Sequence, residues 1–236
     1  MRLALAHLAK RESLSALLQA LVPLVHRARG EGALALLLPE LILGKRGEEG
    51  LPQALEALAG ENRLAVVAGF LAQGPRNRLG VFPQGPFYDK VHPFLAPGEE
   101  GEEGVEPGEG PVMWAFEGRR FGLALCYDLD FPELFRSYAL MGAEVFLVGS
   151  AWPGAYGELL SVLARARAAE NQAYLLLANR ADTGSPSLAV APDGRLLALR
   201  REEGLLVVDL DLGFLEEYRA RYPILRHRRM GAYPLW

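Results

Sequence analysis

Residues 121–136 read FGLALCYDLDFPELFR. The first six contain no polar alternation, which is the pattern of a strand covered on both faces rather than on one. Residues 132–141 then read as a helix. A strand that is apolar throughout and runs into a helix belongs to a sheet that helices cover. The same pattern recurs along the chain. Residues 2–7 (RLALAH), 33–38 (ALALLL), 64–71 (LAVVAGFL), 144–149 (EVFLVG) and 173–179 (AYLLLAN) read as strands. Helices are predicted over 13–29, 51–59 and 156–171. In the first of these, Leu14, Leu17, Leu18, Leu21 and Val25 keep helical spacing and Ser13 is a suitable N-cap. Paired strands are expected near 78–90 and over 112–127, the latter turning at Glu117-Gly118. Shorter strands follow near 187–191, 195–199 and 205–209, with Asp193-Gly194 as a turn. From residue 213 the chain is rich in Arg and aromatics and reads as an arm.

The 236 residues suit one domain or two small ones, and neither an internal repeat nor a linker divides them. Half the residues are apolar and 23% are charged, as in an ordinary folded protein. A net charge of -4, with basic residues scattered, leaves no basic field for nucleic acid. No apolar run approaches the roughly 18 residues a membrane helix needs. The start, MRLALAH, runs through Leu8 and Ala9 into the polar KRES and carries no cleavage pattern, so no signal peptide is expected. A single cysteine forms no internal disulfide, which fits a reducing cytoplasm. Four scattered histidines, at 7, 26, 92 and 227, have no metal-ligand spacing, and none is assigned to a metal. The scarcity of Asn, Gln, Cys and Met points to a thermophilic source.

Several motifs fail on context. Gly30-Glu31-Gly32 imitates a dinucleotide fingerprint, but it follows a helix and opens a strand, the reverse of what that site requires. There is no P-loop ending in Gly-Lys-Ser/Thr. Ser150 and Ser185 do not sit in a G-x-S-x-G elbow. The run GEEGEEGVEPGEG at 98–110 holds six Glu and reads as a solvated acidic loop.

Three segments remain, each with one ionisable residue at the end of an apolar strand: ALALLLPEL with Glu40, FYDKVHPF with Lys90, and FGLALC with Cys126. Taken singly, each has an ordinary explanation. Cys126 fits a buried small apolar residue, Glu40 a helix-start carboxylate or half of an ion pair, and Lys90 a surface lysine. Taken together they form a chemically complete set. A thiol needs a base to become a nucleophile. A carboxylate serves if burial raises its pKa toward neutrality. An ammonium stabilises the oxyanion formed when the thiolate attacks a carbonyl.

These segments resemble the signature regions of the nitrilase superfamily, the carbon–nitrogen hydrolases. SAWP at 150–153, ARAAENQAYLLLANR at 166–180 and APDGRLLA at 191–198 extend the likeness over nearly the whole chain. CYDLDFPELFR at 126–136 and SAWP most resemble the omega-amidase-like branch. The resemblance implies a single domain over 1–236 of the mixed α/β class (α+β type), a four-layer α-β-β-α sandwich, with 219–236 as a C-terminal arm. It implies Glu40 as general base, Lys90 as oxyanion stabiliser and Cys126 as nucleophile, with the backbone N–H of Tyr127 as second oxyanion donor. A second glutamate after the lysine is placed at Glu99, with Glu100 next. Tyr127 and Trp152 are assigned to the substrate pocket, Asn179 and Arg180 to structure, and Glu133 to a salt-bridge network. The branch often carries Arg where this chain has Asp130, and Leu where it has Pro93. Its loop after Gly44 often holds an aromatic residue rather than Lys45, Arg46 and a Glu pair.

The implied reaction converts a small-molecule amide to carboxylate and ammonia through a thioester, with neither metal nor organic cofactor. An N-carbamoyl amine hydrolase or a nitrilase would use the same triad, and a non-catalytic binding protein would use the same scaffold. A redox-sensing thiol would lack a resolving cysteine. The expected partners are a small-molecule amide and a second copy of the chain as a homodimer, with no nucleic acid and no membrane, in the cytoplasm.

Overall fold

A computed structural model of the chain describes residues 1–45, 49–95 and 101–232. The first half builds one sheet. Strand β1 (Arg2–His7) leads through helix α1 (Leu14–Gly30) to β2 (Ala35–Leu37), parallel to it. Helix α2 (Leu51–Asn62) repeats the crossover to β3 (Ala65–Ala72). Strands β4 (Arg76–Phe82) and β5 (Phe87–Asp89) then add antiparallel at the edge.

The second sheet begins with the hairpin β6 (Met113–Phe116) and β7 (Arg119–Leu125). Its turn residues Glu117 and Gly118 have φ of 50° and 71°, the left-handed pair that a two-residue hairpin requires. Helix α3 (Pro132–Leu140) carries the chain to β8 (Val145–Ser150), and α4 (Gly157–Asn171) to β9 (Tyr174–Asn179), all three strands parallel. Strands β10 (Ser187–Val190) and β11 (Leu196–Arg200) close that sheet, and β12 (Gly204–Asp209) crosses back to pair with β1. The orders are β12-β1-β2-β3-β4-β5 and β11-β10-β9-β8-β7-β6.

The strands are apolar throughout because both faces are buried. In β1, β2 and β3, Leu3, Leu5, Leu37 and Val67 point into the core between the sheets. Their neighbours Ala4, Ala6, Leu36, Val66 and Ala68 point the other way, against Leu17, Leu21, Leu55 and Leu58 of α1 and α2. On the second sheet, α3 and α4 bring Phe135, Tyr138, Leu160 and Ala164 to the outer face. The result is the four-layer α-β-β-α sandwich. Ser13 caps α1, its Oγ accepting from the Ala16 N–H at 3.2 Å.

The tail begins differently from an arm. Residues Leu212–Arg221 form helix α5, with the Asp211 carboxylate accepting from the Phe214 N–H. Only Leu215 of this helix is buried. Arg219 fastens it instead, donating to the backbone carbonyls of Gln172 and Ala143 at 2.7 Å each. Such anchoring leaves no apolar period in the sequence. Among the described residues no helix is long and apolar enough to cross a membrane.

Candidate active site

The site lies where the two sheets meet, at the carboxyl ends of β2, β5, β7 and β8. Beyond β2 the chain leaves through Leu38 and Pro39 and folds against β3. The Leu38 N–H donates to the Val67 carbonyl, the Gly69 N–H to that of Pro39, and the Ile42 N–H to that of Gly69. The approach is so close that a Cβ on Gly69 would lie 2.6 Å from Glu40 Cα. Glycine at 69 therefore permits the position of Glu40, whose side chain is 3% exposed.

Lys90 directly follows β5. Its backbone is pinned on both sides: its N–H donates to the Asn77 carbonyl and its carbonyl accepts from the Gly108 N–H, both at 2.8 Å. A Cβ on Gly108 would sit 2.0 Å from the Asp89 carbonyl oxygen, so this loop closes over the lysine only with glycine there. The Lys90 side chain is 1% exposed and its Nζ lies 2.8 Å from Glu40 Oε1.

Cys126 opens a 3-10 turn, Cys126–Asp130, at the end of β7. Its φ is 46°, in the left-handed region that non-glycine residues rarely adopt. Buried Asp128 holds that turn. Its carboxylate accepts from the Leu125 N–H at 2.9 Å, the Tyr88 hydroxyl at 2.6 Å and the His92 N–H at 3.0 Å, and His92 Nδ1 lies 2.9 Å from it. Arg167 of α4 grips the same turn from behind, donating to the carbonyls of Leu129 and Asp130.

The structure thus brings Glu40, Lys90 and Cys126 together. It also adds two residues. Glu102 is buried from within the acidic run, its Oε2 accepting from Lys90 Nζ at 2.6 Å and from the Phe94 N–H at 2.7 Å. Asn77, fully buried on β4, donates through Nδ2 to both Glu40 Oε1 and Glu102 Oε1. Glu99 and Glu100 lie outside the described residues. The expectation of a solvated acidic loop holds for Glu103, Glu106 and Glu109, which are exposed, but not for Glu102. Asn77 offered no signal in the sequence, because a lone amide in Arg-Asn-Arg carries neither period nor motif.

The charges act on one another strongly because water is excluded. Burial raises the Glu40 carboxyl above the usual carboxylate range. Lys90 opposes that rise and the charge of Glu102 adds to it. Burial would lower Lys90, but Glu40, Cys126 and Glu102 outweigh it and the ammonium is held. Burial acts to raise the Glu102 carboxyl as well. Its contacts to Lys90, the Phe94 N–H and Asn77 more than reverse this, and it is lowered. Burial and the nearby Glu40 push the Cys126 thiol well up, against the opposing pull of Lys90 and the Ala151 N–H. Cys126 therefore rests as the thiol, beside a carboxyl group of raised basicity.

These groups open onto a cavity of about 680 Å³. Tyr127 and Trp152 both line it, with Phe94, Asp130 and Tyr156. Asn179 is structural: its Oδ1 accepts from the Trp152 N–H, and its Nδ2 donates to Thr183 Oγ1 and the Ser185 carbonyl. Arg180 lines the cavity while pairing with Asp182. Glu133 departs from expectation. It is exposed on the first turn of α3 and makes no ion pair among the described residues, because the helix turns it to solvent. Among the described residues no group of three or more His, Cys, Asp and Glu is placed to hold a metal ion.

Residues 2–220 match the carbon–nitrogen hydrolase family. An (R)-stereoselective amidase from Pseudomonas sp. is 35% identical over 192 residues, spanning 75% of this chain and 69% of the relative. A nitrilase-superfamily member from Saccharomyces cerevisiae shares the fold, with a TM-score of 0.83 at 24% identity over 95% of this chain and 94% of that one. A glutamate-to-glutamine variant of the amidase from Nesterenkonia sp., showing Michael addition of acrylamide at its active-site cysteine, has a TM-score of 0.79. It is 28% identical, and the match covers 95% of this chain and 98% of that one. With the family matched across most of its length on a sandwich that superposes so closely, this chain is a carbon–nitrogen hydrolase of the nitrilase superfamily.

Proposed function

We propose that the protein hydrolyses a small-molecule amide to a carboxylate and ammonia through a thioester on Cys126. One observation carries this reading: a buried carboxylate, Glu40, and a buried ammonium, Lys90, lie 2.8 Å apart and share a cavity with a thiol on a strained turn. Glu40 takes the thiol proton as Sγ attacks the amide carbon. The negative oxygen of the tetrahedral intermediate rests against Lys90 Nζ and the Tyr127 N–H. Glu40 then gives its proton to the leaving nitrogen, the C–N bond breaks, and ammonia departs. Glu40 next takes a proton from water, whose hydroxide attacks the thioester. The second tetrahedral intermediate collapses, the C–S bond breaks, and the thiol recovers its proton. Glu102 serves as the second glutamate by fixing Lys90, and Asn77 holds the two carboxylates in register.

The raised basicity of Glu40 supports the role of general base. The names of the Pseudomonas and Nesterenkonia relatives, both amidases, support the amide over a carbamoyl amine or a nitrile. We extend the reading to a cytoplasmic homodimer. A single catalytic thiol suits a reducing compartment, and α4 presents Leu159 and Val162 at 45% and 56% exposure. The low content of amide and sulfur side chains supports a thermophilic source. Ammonia release from a panel of omega-amides, carbamoyl amines and nitriles tests the substrate class. Turnover of amides that vanishes in Cys126→Ala is the expected result. Full activity in that variant would sink the scheme.

A further inference from the structure

We propose that Asp130, with the aromatic side chains of Tyr127 and Trp152, forms a subsite for a cationic amine carried on the acyl part of the amide. This rests on the amidase reading above and narrows it to a substrate class. Asp130 ends the turn that Cys126 begins, and Arg167 Nη2 holds its backbone carbonyl at 3.2 Å. The backbone that carries the carboxylate is therefore held relative to the nucleophile, four residues away along a clamped turn. Asp130 lines the cavity, and the Oδ2 of its side chain is fully buried without a partner. No donor among the described residues reaches either of its oxygens.

The one cation close enough to act on it, Arg167, is committed elsewhere. Its guanidinium donates to the Leu129 and Asp130 carbonyls and pairs with Glu170 at 3.1 Å. Proteins seldom leave a buried carboxylate oxygen without a donor. Asp130 is half-buried at the cavity wall and no described residue supplies that donor, so the cavity is where one can be presented to the carboxylate. Burial raises the Asp130 carboxyl, and Arg167 opposes that rise without cancelling it.

The surroundings select the ligand's charge. A carboxylate accepts and does not donate, so it rejects an anion. Tyr127, Trp152, Phe94 and Tyr156 supply aromatic faces, which hold an ammonium by their quadrupole and tolerate its methylene chain. The other cations at the cavity are engaged or peripheral. Lys90 sits between Glu40 and Glu102, Arg180 pairs with Asp182, Lys45 donates to the Gly101 carbonyl, and Lys10 is exposed.

The test uses straight-chain amides of increasing length, each as the neutral, the ω-amino and the ω-carboxy compound. In the wild-type protein, kcat/KM for the ω-amino amide of optimal length should exceed that of its neutral partner at least tenfold. That is the ordinary yield of a charge-assisted pair. The ω-carboxy compound should fall below the neutral one. In Asp130→Asn, which keeps the side-chain shape, the amino-to-neutral ratio should fall to near unity. Neutral or ω-carboxy amides preferred at every length would overturn the subsite, as would a ratio that survives in Asp130→Asn. If no amide is turned over, the amidase reading fails, and calorimetry on Cys126→Ala decides the subsite separately. Tighter binding of the ω-amino compound, lost when Asp130→Asn is added, supports it. Equal or absent binding overturns it.

Discussion

Replacing Gly69 with alanine tests how tightly the two sheets specify the site. The added Cβ would lie 2.6 Å from Glu40 Cα, 2.8 Å from the Pro39 carbonyl oxygen and 3.3 Å from the Glu40 nitrogen. Carbon atoms in contact prefer about 3.5–4.0 Å, so the Glu40 loop must move by roughly 1 Å. All three obstacles are backbone atoms, and no rotamer change relieves them. The loop cannot swing away freely, since the Gly69 N–H and carbonyl are bonded to Pro39 and Ile42 on either side of Glu40. Overpacking of this kind costs about 1–3 kcal/mol, which leaves the protein folded. If Glu40 is the general base proposed above, a misplacement of it near 1 Å costs about a hundredfold in kcat. The expected outcome is a folded Gly69→Ala variant with a modest loss in urea stability and a kcat reduced by about two orders of magnitude. Gly60→Ala is the control. Gly60 lies in α2 with no heavy atom within 4 Å of an added Cβ, so that variant should gain up to about 1 kcal/mol from helix propensity and keep its activity. A Gly69→Ala protein with wild-type kcat and stability would refute the close approach, and with it the placement of Glu40.

Three further outcomes follow from the network. Asp128→Ala strips the partner from the Tyr88 hydroxyl and the Leu125 N–H inside the core, so urea denaturation should show a loss of about 3–5 kcal/mol; a loss below about 1 kcal/mol contradicts the assignment. Because burial raises the Glu40 carboxyl, the acid limb of kcat/KM should lie above the range of an ordinary glutamate, and a limb within that range would remove Glu40 as the base. The Glu102 carboxyl is lowered in the fold despite its burial, chiefly by Lys90, so its stabilisation is complete above the ordinary carboxylate range and is lost as pH falls through the folded value. The stability gap between wild type and Glu102→Gln should therefore narrow on acidification, and a constant gap would show that the ion pair contributes nothing.

The strands and most helices were legible because burial on two faces writes long apolar runs, as in FGLAL and YLLLA. The ends of those runs exposed Glu40, Lys90 and Cys126, since a titratable residue stands out there. Three features were not legible. Helix α5 is held by Arg219 on backbone carbonyls rather than by an apolar stripe. Asn77 matters through contacts to residues 37 and 25 positions away, a relation that local pattern does not encode. Glu102 looks like its five acidic neighbours, and only its bonds to the Phe94 N–H and Lys90 distinguish it. Asp130 was visible as a departure from the family branch, but its orphaned oxygen and its place in the cavity required coordinates.

The central claim is that Cys126 carries the acyl group. Wild-type protein mixed with a turned-over amide, quenched in acid during steady state and digested, should yield the peptide containing Cys126 increased by the mass of the acyl group, and Cys126→Ala should yield no adduct. Sustained ammonia release without any adduct on that peptide, or with the acyl group on another residue, would contradict the account.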